Sequence, residues 1–283
     1  MSNTDARLQD WIGRTRDLTD TLTPVPATAM AATLDLMPPE AGAELPPLWH
    51  WLYFLPTAPT GELGADGHAA KGGFLPPVPL PRRMWAGTRA RFHQPLHIGD
   101  AVRCNSRIAD VVSKNGRSGA LVIVTVVHEI HGPNGLAITE EQDLVYREEP
   151  KPDAKPAPAV APPAEPQWSH EMTAGPVLLF RYSALTFNSH RIHYDYPYTT
   201  QVEGYPGLVV HGPLVLTLLV EALRQEHPDA RIEGLSMRAL RPLFHDRPFR
   251  LQGRLSDDGH QAQLWNLDEE DAVTMQVDVT LAR

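Results

Sequence analysis

Internal disulfides are excluded at once, because the 283-residue chain holds one cysteine, Cys104. A lone thiol suits a reducing compartment, and with no histidine beside it no nucleophilic role is expected. Basic residues are scarce relative to acidic ones, 25 against 34, for a net charge of −9 and a pI of about 5.8. Such a surface repels a phosphate backbone, so nucleic acid is excluded as the main partner. Long apolar runs are also missing. The best of them, Leu214 to Val220, falls far short of the roughly 18–20 residues a membrane span needs, so no membrane partner is expected. Met1 to Trp11 carries Asp5 and Asp10 and no apolar run, so no secretory leader is expected either. These absences together imply a soluble, cytoplasmic protein. With 42% hydrophobic residues there is ample material for a core, and the length suits two domains of roughly 130 residues each.

Proline, by contrast, is abundant, with 28 residues unevenly spread. Between Pro150 and Pro166, seven of 17 residues are proline and five are alanine. Such a stretch lacks ladder donors, cannot continue a helix and favours extended polyproline geometry, reaching roughly 50 Å at ~3.1 Å per residue. The expected division is an N-terminal domain over 1–149, a Pro/Ala-rich linker over 150–167 and a C-terminal domain over 168–283.

The two flanking pieces share an outline. In the first, Leu8, Trp11 and Ile12 fall on one helical face, and Pro26 is placed to open a helix through Met30, Leu34 and Met37. Strands are expected over Arg89–His97, Ala101–Val112, Ala120–His131 and Leu136–Arg147, with reversals at Asn115-Gly116 and Asn134-Gly135. In the second, Gly212-Pro213 opens a helix that runs from Leu214 to Gln225 and is apolar nearly all round, so it must be buried on most sides. Strands follow over Arg231–Arg241, Pro248–Leu255, Gln261–Asn266 and Val273–Leu281. The last alternates cleanly, with Val273, Met275, Val277, Val279 and Leu281 on one face. Periodicity alone implies an α+β fold with antiparallel sheets.

The densest group of polar side chains runs from Arg181 to Asp195, and eighteen residues beyond His193 comes His211-Gly212-Pro213. This pair of segments resembles the hydratase motif of MaoC-type enoyl-thioester hydratases, Y-S-x-x-[ST]-x-D-x-N-P-x-H followed by G-x-x-x-H-G. Gly207 to Gly212 matches the second element, and Tyr182, Ser183, Thr186 and His193 match the first. The chain departs at Asn188, where the family has Asp, and at His190-Arg191, where it has Asn-Pro. That variant is similar to the branch of fungal mitochondrial 3-hydroxyacyl-thioester dehydratases and bacterial mesaconyl-CoA or itaconyl-CoA hydratases. His50 to Leu55, Leu63 to His68, Gly72 to Pro77 and Pro81 to Gly87 resemble the same branch. The resemblance implies a double hot-dog, two antiparallel sheets each wrapped round a long apolar helix. It also implies a hydro-lyase that reversibly adds water to an enoyl-CoA, with mesaconyl-CoA or itaconyl-CoA the leading substrate. Coenzyme A enters as part of that substrate, no cofactor or metal is implied, and hot-dog sheets commonly pair into homo-oligomers.

Hydration needs a base for water, an acid for the α carbon, and donors for the charge on the thioester oxygen. The resemblance makes His193 the base, at an ordinary imidazole pKa. Asn188 orients the same water through its side-chain oxygen, and the Gly212 N–H at the buried helix N-terminus is the oxyanion donor, its glycine letting the thioester approach. An amide cannot exchange protons, so either His193 moves both or a neighbour such as His190 or Asp195 assists, with His211 as further support. Arg191, Arg82 and Arg83 are the candidates for substrate carboxylate or phosphate. Tyr182 and Ser183 read as structural residues at a strand end. His190 and His193, with His211 or Asp195, form an alternative metal set. A hot-dog thioesterase, a non-catalytic acyl-thioester binding module and an acyl-carrier-linked dehydratase remain as competing functions.

Overall fold

The structure is a computed structural model that describes residues 7–116, 119–149 and 158–282. Ten strands form one sheet in the order β1-β3-β4-β5-β2-β7-β10-β9-β8-β6, and every neighbouring pair is antiparallel. The first five are β1 (Thr15–Thr21), β2 (Arg82–Phe92), β3 (Ala101–Gly116), β4 (Gly119–Gly132) and β5 (Gly135–Arg147). The second five are β6 (Trp168–Thr173), β7 (Ile232–Ala239), β8 (Pro248–Leu255), β9 (Gln261–Leu267) and β10 (Val273–Leu281). The two sets meet where β2 pairs with β7, from Gly87 opposite Arg238 to Arg91 opposite Gly234. Each half therefore contributes five strands, and hydrogen bonding continues across the junction.

Four α-helices are described: α1 (Pro24–Thr33), α2 (Pro176–Leu185), α3 (Tyr196–Gln201) and α4 (Gly212–Glu226). Helix α4 matches the apolar run. All ten residues from Leu214 to Leu223 are buried, and the helix packs on β8, β9 and β10. One buried residue in it is charged. Glu221 accepts from Trp49 Nε1 at 2.9 Å and from Arg224 Nη1 at 2.7 Å, which satisfies an otherwise costly carboxylate. The N-terminal half differs from the expected long apolar helix. Helix α1 spans ten residues and buries only Ala27, Met30 and Ala31, ending before Asp35 at φ +54°. The 3₁₀ turn Trp49–Leu52 supplies the rest of that side of the core, with Trp49 and Leu52 fully buried.

Three local expectations are corrected. Strand β2 begins at Arg82 rather than Arg89, its pairing with β5 interrupted by a bulge between Trp85 and Gly87. Tyr182 and Ser183 lie on helix α2, not at a strand end. The edge strands β1 and β6 were not among the expected ones, because β1 buries no residue and β6 only Trp168, which leaves the apolar alternation weak. Residues 150–157 of the expected linker and the tip of the reversal after Asn115-Gly116 lie outside the described residues. The early helical face is described as a short helical stretch over 7–9 and a turn in which Trp11 N donates to Leu8 O and Ile12 N to Gln9 O. Within the linker's described part, Val160 O accepts from Val273 N and Gln167 N donates to Gly253 O. No helix among the described residues is long and apolar enough to cross a membrane.

Candidate active site

Helix α2 ends in a way that fixes the loop carrying the motif. Thr186 N donates to Tyr182 O, Phe187 N to Ala184 O and Asn188 N to Ser183 O, while Phe187 adopts φ +49°. This is a Schellman-type stop with a bulky residue where glycine is usual, a strained conformation that the flanking bonds enforce. Asn188 follows directly. Its Oδ1 accepts from His190 N at 3.0 Å, so the oxygen expected to hold water instead bends the loop and presents His190. Asn188 still lines the cavity described below.

A one-turn 3₁₀ helix, Arg191–His193, then brings His193 inward. Its Nδ1 lies 2.7 Å from Val209 O. A carbonyl can only accept, so Nδ1 carries the proton and Nε2 is left with a lone pair. His193 is 7% exposed. Burial, opposed by the Val209 bond and assisted by His68, lowers its pKa to about 4, below the ordinary value expected from sequence. The neutral form needed of a base is thereby held across the physiological range.

His193 stacks on His211, ring centroids 3.7 Å apart at 19°. His211 is the N-cap residue of α4 and wholly buried, and its Nε2 lies 2.8 Å from Ser183 Oγ. Its Nδ1 is buried without a partner. The less costly tautomer leaves a lone pair unpartnered, so Nε2–H donates to Ser183. Burial and the neighbouring His193 and His190 push the His211 pKa well below the ordinary value. His211 therefore acts as a neutral plate behind His193.

Next in the chain, Gly212 opens α4, where backbone N–H groups lack intrahelical partners. A Cβ at Gly212 would lie 2.9 Å from the Trp85 ring. The missing side chain thus makes room for Trp85, not for an approaching thioester as the sequence suggested. Trp85 in turn meets Trp51 edge-on, centroids 5.9 Å apart. Trp51 Nε1 donates to buried Glu140, which also accepts from Thr88 Oγ1 and contacts His50 Nε2 at 3.1 Å. A charged group buried in the N-terminal half thus anchors the stack behind the α4 terminus.

These residues surround a cavity of about 350 Å³ between the two halves, whose wall includes Asn188, His190, His193, Gly212 and Trp85. Four arginines also line it: Arg82, Arg83, Arg147 and Arg241. Arg82 is neutralised by Glu203 Oε2 at 3.2 Å, and Arg241 lies 3.7 Å from Asp268. Arg83 and Arg147 make no ion pair among the described residues, and Arg147 Nε is buried without a partner. Arg191, one of the expected substrate arginines, is not on the wall. It ion-pairs with Asp195 at 2.7 Å, lies 3.9 Å over the Tyr198 ring, and donates to Ala65 O. Asp195 is likewise structural: it caps α3 by accepting from Tyr198 N at 3.1 Å. Sequence reasoning assigned no role to Asp66, His68, Arg147 or Trp85, all on the wall. The signal available was the Leu63 to His68 segment, which the resemblance quoted without a function.

The alternative metal set does not assemble. His193 Nδ1 is held by Val209, His211 Nε2 by Ser183 and Asp195 by Arg191. One other donor group comes together among the described residues, Asp66, His68 and His190, with ligand atoms within 4.8 Å of one another. Its geometry favours proton chemistry over a cation. His68 Nδ1 is already engaged with Asp66 Oδ2 at 2.9 Å, and the two imidazoles lie against each other, centroids 4.0 Å apart.

A family model described as hydroxyacyl-thioester dehydratase type 2 matches residues 48–245. Mesaconyl-C(4)-CoA hydratase of Chloroflexus aurantiacus is 51% identical over 250 residues, covering 88% of this chain and 89% of the relative. The mitochondrial hydroxyacyl-thioester dehydratase type 2 of Schizosaccharomyces pombe is 30% identical over 237 residues, covering 73% of this chain and 77% of its own. Among solved structures, HtdX of Mycobacterium tuberculosis superposes with a TM-score of 0.65 at 18% identity, over 94% of this chain and all of that one. A second M. tuberculosis protein, described as a double hotdog fold, gives 0.61 at 14% identity over 95% and 96% of the two chains. These likenesses show the fold to be the α+β double hot-dog expected.

Proposed function

Because the chain belongs to the type 2 hydroxyacyl-thioester dehydratase family, it is a hydro-lyase of acyl thioesters, and we propose that it acts on a short, branched, dicarboxylic enoyl-CoA of the mesaconyl type. The observation that carries the reading is the single cavity in which the His193 lone pair and the N-terminus of buried helix α4 share a wall. In the hydration direction, His193 Nε2 removes a proton from water as its oxygen adds to the β carbon. The π electrons move toward the thioester, and the charge gathering on its oxygen is met by the Gly212 N–H and the helix dipole. Dehydration runs through the same steps reversed. All these groups come from one chain.

The acyl group is argued from charge. Arg83 and Arg147 line the cavity without carboxylate partners, an arrangement that favours an anionic ligand and penalises a neutral one. A distal carboxylate on the acyl group, like the phosphates of coenzyme A, supplies that partner. A charged hydrogen bond of this kind contributes about 1.5–3 kcal/mol, or roughly 10- to 150-fold in kcat/KM.

The test is an assay of mesaconyl-, itaconyl- and crotonyl-CoA that follows enoyl absorbance and free thiol together. Loss of absorbance without thiol release is expected, with a dicarboxylic substrate preferred over crotonyl-CoA by at least about tenfold. Thiol release with the double bond intact would make the protein a thioesterase. Equal rates on crotonyl-CoA would remove the carboxylate from the argument.

A further inference from the structure

Resting on the hydro-lyase reading, one step is left without a group: the proton for the α carbon. The broader MaoC-type motif has an aspartate where this chain has Asn188, and an amide cannot transfer a proton. The N-terminal half brings a carboxylate and an imidazole to the same wall. The loop from Leu63 to His68 is stitched onto the motif loop by its backbone. Arg191 N donates to Asp66 O at 2.9 Å, Arg191 Nη1 to Ala65 O at 3.1 Å, and Ser189 Oγ to Gly67 O. Gly67 has φ +88°, and a Cβ there would lie 1.9 Å from Ser189 O, so the two loops touch where only glycine fits.

This docking places His68 at the head of a file of imidazoles. His68 and His190 have centroids 4.0 Å apart, His190 and His193 5.4 Å, and His193 and His211 3.7 Å. Only the first has a carboxylate. Asp66 Oδ1 accepts from His68 N at 3.0 Å and Asp66 Oδ2 faces His68 Nδ1 at 2.9 Å, so the ring is fixed with Nδ1–H donating and Nε2 as the reactive nitrogen.

We propose that the Asp66–His68 pair is the second acid/base of this enzyme, with His68 delivering the proton to the α carbon in place of the carboxylate that Asn188 lacks. A proton entering the file settles on His68, the one imidazole with an anionic partner. As the oxygen–Cβ bond forms, His193 Nε2 gains the proton of water and the π electrons become an enolate. That proton passes from His193 through His190, which lies between them, to His68 Nε2. The enolate then takes it from His68, forming the Cα–H bond and leaving both His68 and His193 neutral. Nothing else is consumed. Burial and the neighbouring imidazoles lower His190, and burial lowers His68 against the pull of Asp66, so the file rests neutral and the proton in transit is the one taken from water. Asp66 itself would be raised by burial, yet the bonds and charge of His68 hold it below the usual carboxylate range.

His68→Gln, Asp66→Asn and the double variant Asn188→Asp/His68→Gln test the assignment in the hydration assay. His68→Gln is expected to lower kcat by about 10²-fold or more with KM within about threefold, and Asp66→Asn by about tenfold. The double variant restores a carboxylate at 188 and is expected to regain at least about tenfold over His68→Gln, which a structural role for His68 would not allow. A His68→Gln enzyme with kcat within about threefold of wild type, a loss confined to KM, or a double variant no faster than the single one would overturn the proposal. So would activity that disappears on chelation and returns with zinc, which would make the group a metal centre. Histidine ¹⁵N NMR on the free protein reads the pair without substrate. A strongly downfield Nδ1 proton on His68 that is absent in Asp66→Asn is expected, and its absence in wild type contradicts the pairing. Wild-type protein inert on every enoyl-CoA counts against the substrate reading alone and leaves the NMR result to decide the pair.

Discussion

Gly67→Ala turns the contact between the two loops into a measurable quantity. The added Cβ would stand 1.9 Å from the Ser189 carbonyl oxygen, and real Cβ contacts do not fall under 3.0 Å, so the loops must part by at least about 1.1 Å. The obstacle is backbone, which no rotamer change relieves. Alanine at φ +88° adds backbone strain of about 1–3 kcal/mol. For a chain of this size that amounts to a fall in Tm of several degrees. A displacement near 1 Å in a group that must meet the substrate costs up to about 10²-fold in turnover. The control is Gly135→Ala, at φ +104° with nothing within 4 Å of the new Cβ: strain without contact. Thermal melts and hydration kinetics on both variants separate the two effects. Gly135→Ala should lose stability and keep kcat, whereas Gly67→Ala should lose both. Wild-type turnover in Gly67→Ala would mean that the docked loop does not position chemistry.

Stability should fall with pH in a window set by His193. Its pKa of about 4 when folded lies below the roughly 6.5 of the unfolded chain, so the unfolded state takes up a proton first as pH falls. The contribution is full above about pH 6.5 and is lost toward pH 4, to a total of about 3 kcal/mol. Urea midpoints between pH 8 and 4.5 should drop more steeply for wild type than for His193→Gln, and equal slopes would refute the assignment. Arg83→Met should raise KM for mesaconyl-CoA by about tenfold while leaving crotonyl-CoA little changed after the shared coenzyme A contribution is divided out. An equal change in both would assign Arg83 to the coenzyme A portion.

Much of this architecture could be read from the chain because burial patterns are periodic. The apolar run at Leu214 to Leu223 has no polar face, and it became the buried helix α4. Val273 to Leu281 alternates, and it became the inner strand β10 between β7 and β9. Where a strand buries almost nothing, the pattern is faint, as in the edge strands β1, with no buried residue, and β6, with Trp168 alone. The start of β2 was hidden by its bulge at Trp85 to Gly87. At the site, His193 was legible because its neighbours formed a motif. The tautomer was not, because it depends on the Val209 carbonyl sixteen residues away. Arg191 carried charge at a promising position, but its partner Asp195 lies one helical turn on and takes that charge. Pairing of His68 with His190 was beyond sequence patterning, since it is made by two loops 122 residues apart.

The claim on which the account turns is that the His193 lone pair activates water in the cavity at the α4 terminus. The most direct measurement is the hydration turnover of His193→Ala on the preferred enoyl-CoA, with folding verified by its melt. A kcat lower by at least about 10²-fold with substrate still bound is expected. A folded variant that hydrates at the wild-type rate would contradict it.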